Sequence, residues 1–186
     1  MSVGENIPVK AGSTTETTCM PHGVVVGALA FMLMGSVTAA KAEDVVFRLR
    51  SKFTGDTKCL DIANDGRNNQ PTMAACGDAP GQMWTISLIG STGQARLRTE
   101  LTGDAKCLDI VNDGQNNQLI MATCGNFPGQ RWLIAPTIVP GSSRLRTVFT
   151  GDGKCLDVIK EGKGTALIMT PCGNASGQMW SIARKQ

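Results

Sequence analysis

The chain has 186 residues, no tyrosine, 4% aromatic side chains, and 18 basic against 15 acidic residues, a net charge of +3 at pH 7. So mild an excess, with no basic run and no interleaved aromatic residues, excludes the electrostatic footprint of a nucleic-acid binder. The sole histidine, His22, lies close to the N-terminus, so the rest of the chain lacks the commonest general base, and Ser/His/Asp or Cys/His nucleophile systems are excluded there.

Val24–Met34 form a short apolar run, followed by Gly35-Ser36-Val37-Thr38-Ala39-Ala40-Lys41-Ala42. The run is too short and too interrupted by glycine to favour an uncleaved membrane anchor. It ends in the small-x-small pattern of a signal-peptide cleavage site. The expectation is a signal-peptide region over residues 1–42, a mature start at Glu43 with no membrane span, and a secreted or periplasmic product. Glu5, Lys10 and Glu16 nearly cancel in a segment where a signal peptide is normally short and positive. A start at Met20 would give a compact leader, so residues 1–19 read as a mis-assigned start.

Beyond the leader, Phe47 to Phe53 alternates in period two, with Leu49 on one face and arginines on the other, which is strand chemistry. Thr54-Gly55-Asp56 supplies a tight turn, Lys58 to Ala63 a second strand, and Asn64-Asp65-Gly66 another turn. A third strand leads to Cys76, and a fourth carries Trp84-Thr85-Ile86. This unit is then written twice more. Arg48-Leu49-Arg50 returns at a 48-residue interval as Arg96-Leu97-Arg98 and Arg144-Leu145-Arg146; Cys59-Leu60-Asp61 returns as Cys107-Leu108-Asp109 and Cys155-Leu156-Asp157. Gln82-Met83-Trp84 returns as Gln130-Arg131-Trp132 and Gln178-Met179-Trp180. No gap is needed, so three repeats (about 43–90, 91–138 and 139–186) share one backbone path and predict twelve strands. Units of four strands are too short to bury cores alone, which favours closure around a threefold axis over an open stack.

Cys19 precedes the expected cleavage site, and the other six cysteines fall in pairs of constant spacing: Cys59/Cys76, Cys107/Cys124 and Cys155/Cys172. In an exported chain an even set reads as disulfides, and the threefold repetition selects one bridge within each repeat. Zinc is the competing reading. Without C-x-x-C or a histidine beyond the leader, no metal and no cofactor are expected.

Three Q-x-W motifs at constant spacing, each preceded by Cys-Leu-Asp and a second cysteine, resemble the ricin-B-type β-trefoil lectin family over the whole of residues 43–186. The resemblance implies an all-β trefoil in which Trp84, Trp132 and Trp180 pack in the shared core and Gln82, Gln130 and Gln178 brace the preceding loop. It also implies non-catalytic carbohydrate binding in which Asp61, Asp109 and Asp157 receive sugar hydroxyls. A carboxylate pair of the glycosidase kind would have to converge on one bond, whereas these three are equivalents on separate repeats.

Several positions depart from the family pattern. Ala74, Ala122 and Thr170 stand where the stacking aromatic is expected, Gly81, Gly129 and Gly177 replace the asparagine before Q-x-W, and Ile120 and Ile168 replace the polar residue that Thr72 keeps. Sugar binding would then rest on polar contacts and on avidity among repeats. One replacement cluster is Asn64, Asp65, Asn68, Asn69 and Gln70, repeated as Asn112, Asp113, Asn116, Asn117 and Gln118 but degenerate around Lys160 and Glu161. Such a cluster could hold hydroxyls or a calcium ion, or simply form turns; the expectation is that repeats one and two bind glycan and the third is weaker or silent. Phe127, where the other repeats have Ala79 and Ala175, is a further candidate contact. The partner expected is a glycan or polysaccharide. The alternative is a trefoil scaffold with degenerate sugar sites used for protein recognition, toxin-accessory or inhibitor-like.

Overall fold

The computed structural model describes residues 45–185; the expected leader and cleavage site, with Glu43, Asp44 and Gln186, lie outside the described residues. The twelve strands are β1 (Val46–Ser51), β2 (Lys58–Ile62), β3 (Pro71–Ala75), β4 (Trp84–Leu88), β5 (Gln94–Thr99), β6 (Lys106–Ile110), β7 (Leu119–Thr123), β8 (Trp132–Pro136), β9 (Ser143–Thr147), β10 (Lys154–Glu161), β11 (Gly164–Pro171) and β12 (Trp180–Arg184). Six of them close a barrel in the order β1-β12-β9-β8-β5-β4, while β2-β3, β6-β7 and β10-β11 form separate hairpins. This is an all-β trefoil. Among the described residues no helix is long and apolar enough to cross a membrane.

The alternation read from the sequence is what closes the barrel. Leu49, Leu97 and Leu145 point inward and are fully buried, as are Leu60, Leu108, Leu156 and the three tryptophans. Met73, Met121 and Met169 complete this shared interior. Each indole Nε1 donates to a backbone carbonyl on the neighbouring hairpin, Trp84 to Leu60 O (2.8 Å), Trp132 to Leu108 O (2.8 Å) and Trp180 to Leu156 O (2.9 Å). A large apolar body is thereby buried without stranding its one polar atom. The disulfides run within each repeat, Cys59–Cys76, Cys107–Cys124 and Cys155–Cys172, each with Cα atoms 5.0 Å apart.

Two local expectations shift. β1 ends at Ser51 rather than Phe53 because the Thr54 N–H turns back onto Ser51 O (3.1 Å). The third hairpin does not follow the backbone path of the other two but is a longer ladder, paired from Lys154↔Pro171 to Glu161↔Gly164. In the first repeat Asp65 Oδ1 accepts from the N–H groups of Arg67 (3.0 Å) and Asn68 (2.8 Å), and positive φ at Gly66 (80°) and Asn68 (51°) coils the chain off the ladder. Asp113, Gly114 and Asn116 do the same in the second. The third repeat has Glu161, Gly162 and Lys163 in that stretch, so pairing continues to a turn at Gly162.

Candidate functional site

The aspartate of each Cys-Leu-Asp string lies at the centre of one repeated network. Gln82 Nε2 donates to Asp61 Oδ2 (2.9 Å) and to Ala75 O (2.9 Å), while Gln82 Oε1 accepts from Gly77 N (2.9 Å). Gln130 makes the same three bonds, to Asp109 Oδ2 (2.8 Å), Thr123 O (2.9 Å) and from Gly125 N (2.8 Å). Gln178 likewise reaches Asp157 Oδ2 (3.1 Å) and Pro171 O (2.9 Å) and accepts from Gly173 N (2.8 Å). The Q-x-W glutamine therefore fixes both the loop before it and the carboxylate opposite.

The glycine before each Q-x-W belongs to the same arrangement. A methyl group on Gly81 would come within 2.5 Å of Ile62 O and closer still to Asp61 Oδ1; Gly129 and Gly177 abut Asp109 and Asp157 in the same way. An asparagine at these positions would collide with the carboxylate, so glycine is the residue this approach requires.

In the second repeat the carboxylate opens onto a pocket of about 150 Å³ lined by Asp109, Ile110, Asn112, Phe127, Pro128, Gly129 and Phe149. Asp109 is half-buried. Its Oδ1 accepts from Ile110 N (2.7 Å) and its Oδ2 from Gln130. A carboxylate offers about four lone-pair sites, so roughly two remain for hydroxyl donors. Phe127 is 56% exposed. Its ring folds back over Gly125, where any side chain would displace it. Phe149, from the turn after β9, is tied to the same loop through its N–H to Pro128 O (3.2 Å).

The structure thus brings together three of the candidates read from the sequence, Asp109, Asn112 and Phe127, and adds Phe149 and Pro128. Phe149 was legible only by aligning repeats: it occupies the position of Phe53 and Leu101 and so belongs to the wall of the preceding repeat's site. In the first repeat Asp61 is half-buried and Asn64 exposed, but Ala79 stands in the place of Phe127. In the third, Asp157 is 4% exposed and Thr170 Oγ1 donates to its Oδ2 (2.6 Å).

The remaining asparagines lie elsewhere, at the hairpin tips that join one repeat to the next. Asn69 O accepts from Met121 N (2.8 Å) and Asn117 O from Met169 N (2.7 Å). Lys106 Nζ donates to the carbonyls of Arg67 and Asn68, and Lys154 Nζ to that of Gln115. Asn68 and Asn116 hold the left-handed turn residues of those tips. No group of three His, Cys, Asp or Glu that could hold a metal ion occurs among the described residues.

A closed six-stranded barrel capped by three hairpins, with one carboxylate braced by a Q-x-W glutamine in each repeat, defines a β-trefoil domain of the lectin kind. The profile of the ricin-type beta-trefoil lectin domain matches residues 45–145, and the chain belongs to that family. Among solved structures it is similar to the designed threefold-symmetric protein ThreeFoil (TM-score 0.63, 20% identity, 74% of this chain and 97% of that one). It is also similar to the Macrolepiota procera ricin B-like lectin solved with lactose (TM-score 0.62, 17% identity, 79% and 100%). A third likeness is to an exo-β-1,3-galactanase from Clostridium thermocellum (TM-score 0.61, 20% identity, 76% of this chain), of which the likeness covers only 30%. A sequence search among curated proteins finds no match.

Proposed function

We propose that the protein is an exported, non-catalytic lectin whose principal carbohydrate site is the second-repeat pocket. One observation carries this reading: the Asp109 carboxylate and Asn112 amide share a pocket with two phenylalanine rings, Phe127 and Phe149. Hydroxyl acceptors beside an apolar ring face are what a sugar needs, since its ring presents hydroxyls at the edge and C–H groups on the face. The pocket is smaller than the roughly 300–1,000 Å³ of sites that enclose a drug-sized ligand, which suits one sugar residue at a chain end. Asp61 with Asn64 forms a weaker copy lacking the aromatic wall, and Asp157 is the least available of the three.

Two further features support export and the absence of catalysis. Three disulfides are stable in oxidising compartments and rare in reducing ones. The three aspartates sit on separate repeats, each bonded to its own glutamine, whereas glycoside hydrolysis needs two carboxylates flanking one bond. The test is retention of the full-length protein on immobilised neutral polysaccharide, competed by free sugar. Retention lost in Asp109→Asn and kept in Asp157→Asn is the expected result; equal retention in both would remove the assignment. Sequencing the exported form from its N-terminus should begin at Glu43.

A further inference from the structure

The outer face of the barrel carries six arginines in threefold array, and one seam departs from the others. Arg98 pairs with Asp104 and donates to Ser87 Oγ (2.7 Å), and Arg146 pairs with Asp152. Arg50 is their equivalent on β1, with Asp56 at the matching turn position, yet it pairs with no carboxylate among the described residues. Two adjoining depressions meet at its side chain. One, of about 420 Å³, runs past Lys52, Ser181 and the Pro140–Ser142 turn. The other, of about 350 Å³, is lined by Arg48, Arg50, Ala183, Arg184 and Lys185.

The charge of this groove belongs to one repeat boundary only. Lys52, Arg184 and Lys185 are replaced by Glu100, Leu88 and Ile89 along the β4/β5 seam, and by Val148, Pro136 and Thr137 along β8/β9. Here the same strand positions gather Arg48, Arg50, Lys52, Arg184 and Lys185 against two acidic side chains, Asp56 and Asp78. Asp78 is engaged by Arg48 (2.6 Å) and Lys185 (3.4 Å), which leaves Arg50, Lys52 and Arg184 without an acidic partner among the described residues. In a chain whose repeats align without a gap and whose interior is so uniform, a cationic groove confined to one seam is a local specialisation rather than a requirement of the fold.

We infer that the β1/β12 groove is a second binding site, which takes the sulfate or uronate groups of an acidic polysaccharide. Guanidinium forks match the oxygens of such groups with paired donors, and a lysine supplies a mobile point charge beside them. Ser142 and Ser181 in the wall can reach neighbouring sugar hydroxyls, whereas the lining holds no aromatic ring on which a nucleobase could stack. The site shares no residue with the Asp109 pocket; its choice of a glycan over other polyanions rests on the carbohydrate reading above.

The experiment compares the full-length protein with two variants that lose the same charge. Lys52→Glu/Arg184→Leu/Lys185→Ile installs the residues that the β4/β5 seam already carries at those positions, while Lys160→Glu/Lys163→Glu removes an equal charge from the β10–β11 tip. Binding to heparin and to polygalacturonate is measured at about 0.15 M salt, with duplex DNA and phosphatidylserine vesicles as further arms. The seam variant should weaken acidic-polysaccharide binding roughly tenfold or more, and the tip variant by less than about twofold. Arg50→Gln alone should weaken it about threefold, which covers the case of a misfolded triple variant. Equal weakening by seam and tip, unchanged binding in the seam variant, or a seam dependence seen with DNA or vesicles but not polysaccharide would each overturn the inference. Asp109→Asn should leave acidic binding intact while losing neutral-glycan retention, so failure of one site is read separately from failure of the other.

Discussion

Asp109 and Asp157 occupy the same place on β6 and β10, each braced by its repeat's glutamine, but their surroundings differ on two sides. Asp109 looks onto a pocket walled by Phe127 and Phe149. Asp157 has Ala175 in the adjoining loop and Thr170 reaching over to bond it, and is nearly covered. The backbone frame is held constant by the buried tryptophans and glutamines, so a site is gained or lost by single side chains in loops that do not disturb the core. A repeated fold can thus keep three carboxylates for structural reasons and leave only some of them open to a pocket.

The largest expected effect tests the shared half of that comparison. Trp132→Ala and Trp180→Ala should each cost about 3–5 kcal/mol in urea unfolding, as for other large core truncations. Both indoles are fully buried and bonded alike. A difference much larger than about 1 kcal/mol between the two would mean that the repeats do not share one interior. Next in size is the divergent half. Asp109→Asn should weaken neutral-glycan binding by about 1.5–3 kcal/mol, the range for hydrogen bonds to a charged group, while Asp157→Asn should leave it unchanged on the same array. Phe127→Ala follows at about 0.5–1.5 kcal/mol, a loss of roughly two- to tenfold in affinity by calorimetric titration.

The comparison can also be sharpened by adding a wall. Ala79→Phe with Leu101→Phe rebuilds the second-repeat pocket beside the half-buried Asp61, and should raise the number of glycans bound per chain. Ala175→Phe should not, because Thr170 and Gln178 hold Asp157. If both variants gain a site, the cover over Asp157 is less firm than its hydrogen bonds suggest.

The barrel and the disulfide pairing were legible because periodicity and repetition are properties of the sequence itself: Leu49, Leu97 and Leu145 announce one inner face, and threefold spacing leaves one pairing scheme for the cysteines. The pocket was only half legible. Asp109 and Phe127 stood out by motif and by broken symmetry, but Phe149 reaches them from the next repeat, and long-range neighbours of that kind carry no local signal. Asn68, Asn69, Asn116 and Asn117 show the opposite difficulty. A polar cluster suited to hydroxyls and one suited to a tight inter-repeat turn have the same composition; the bonds from Met121 N and Met169 N, which end on backbone carbonyls, place Asn69 and Asn117 at repeat junctions outside the Asp109 pocket.

Those hairpin tips give the smallest expected effect. Asp65 is held below its ordinary pKa of 3.8, chiefly because its carboxylate accepts from the Asn68 N–H; desolvation opposes this, and the N–H groups of Arg67 and of Asp65 itself, with the Arg67 guanidinium, add to it. A folded-state value below the unfolded one means that this carboxylate stabilises the first hairpin fully above pH 3.8 and loses that contribution as pH falls through the depressed folded value. Full exposure keeps the effect small, so it is best read locally, as amide hydrogen exchange at Arg67 and Asn68. Protection of these amides relative to free peptide should fall on acidification in the wild type and be low at every pH in Asp65→Ala. Glu161→Ala, at the tip of the third hairpin where the ladder itself makes the turn, should leave exchange along β10 and β11 as it was; a loosening equal to that of Asp65→Ala would show that the two kinds of tip are held by the same means after all.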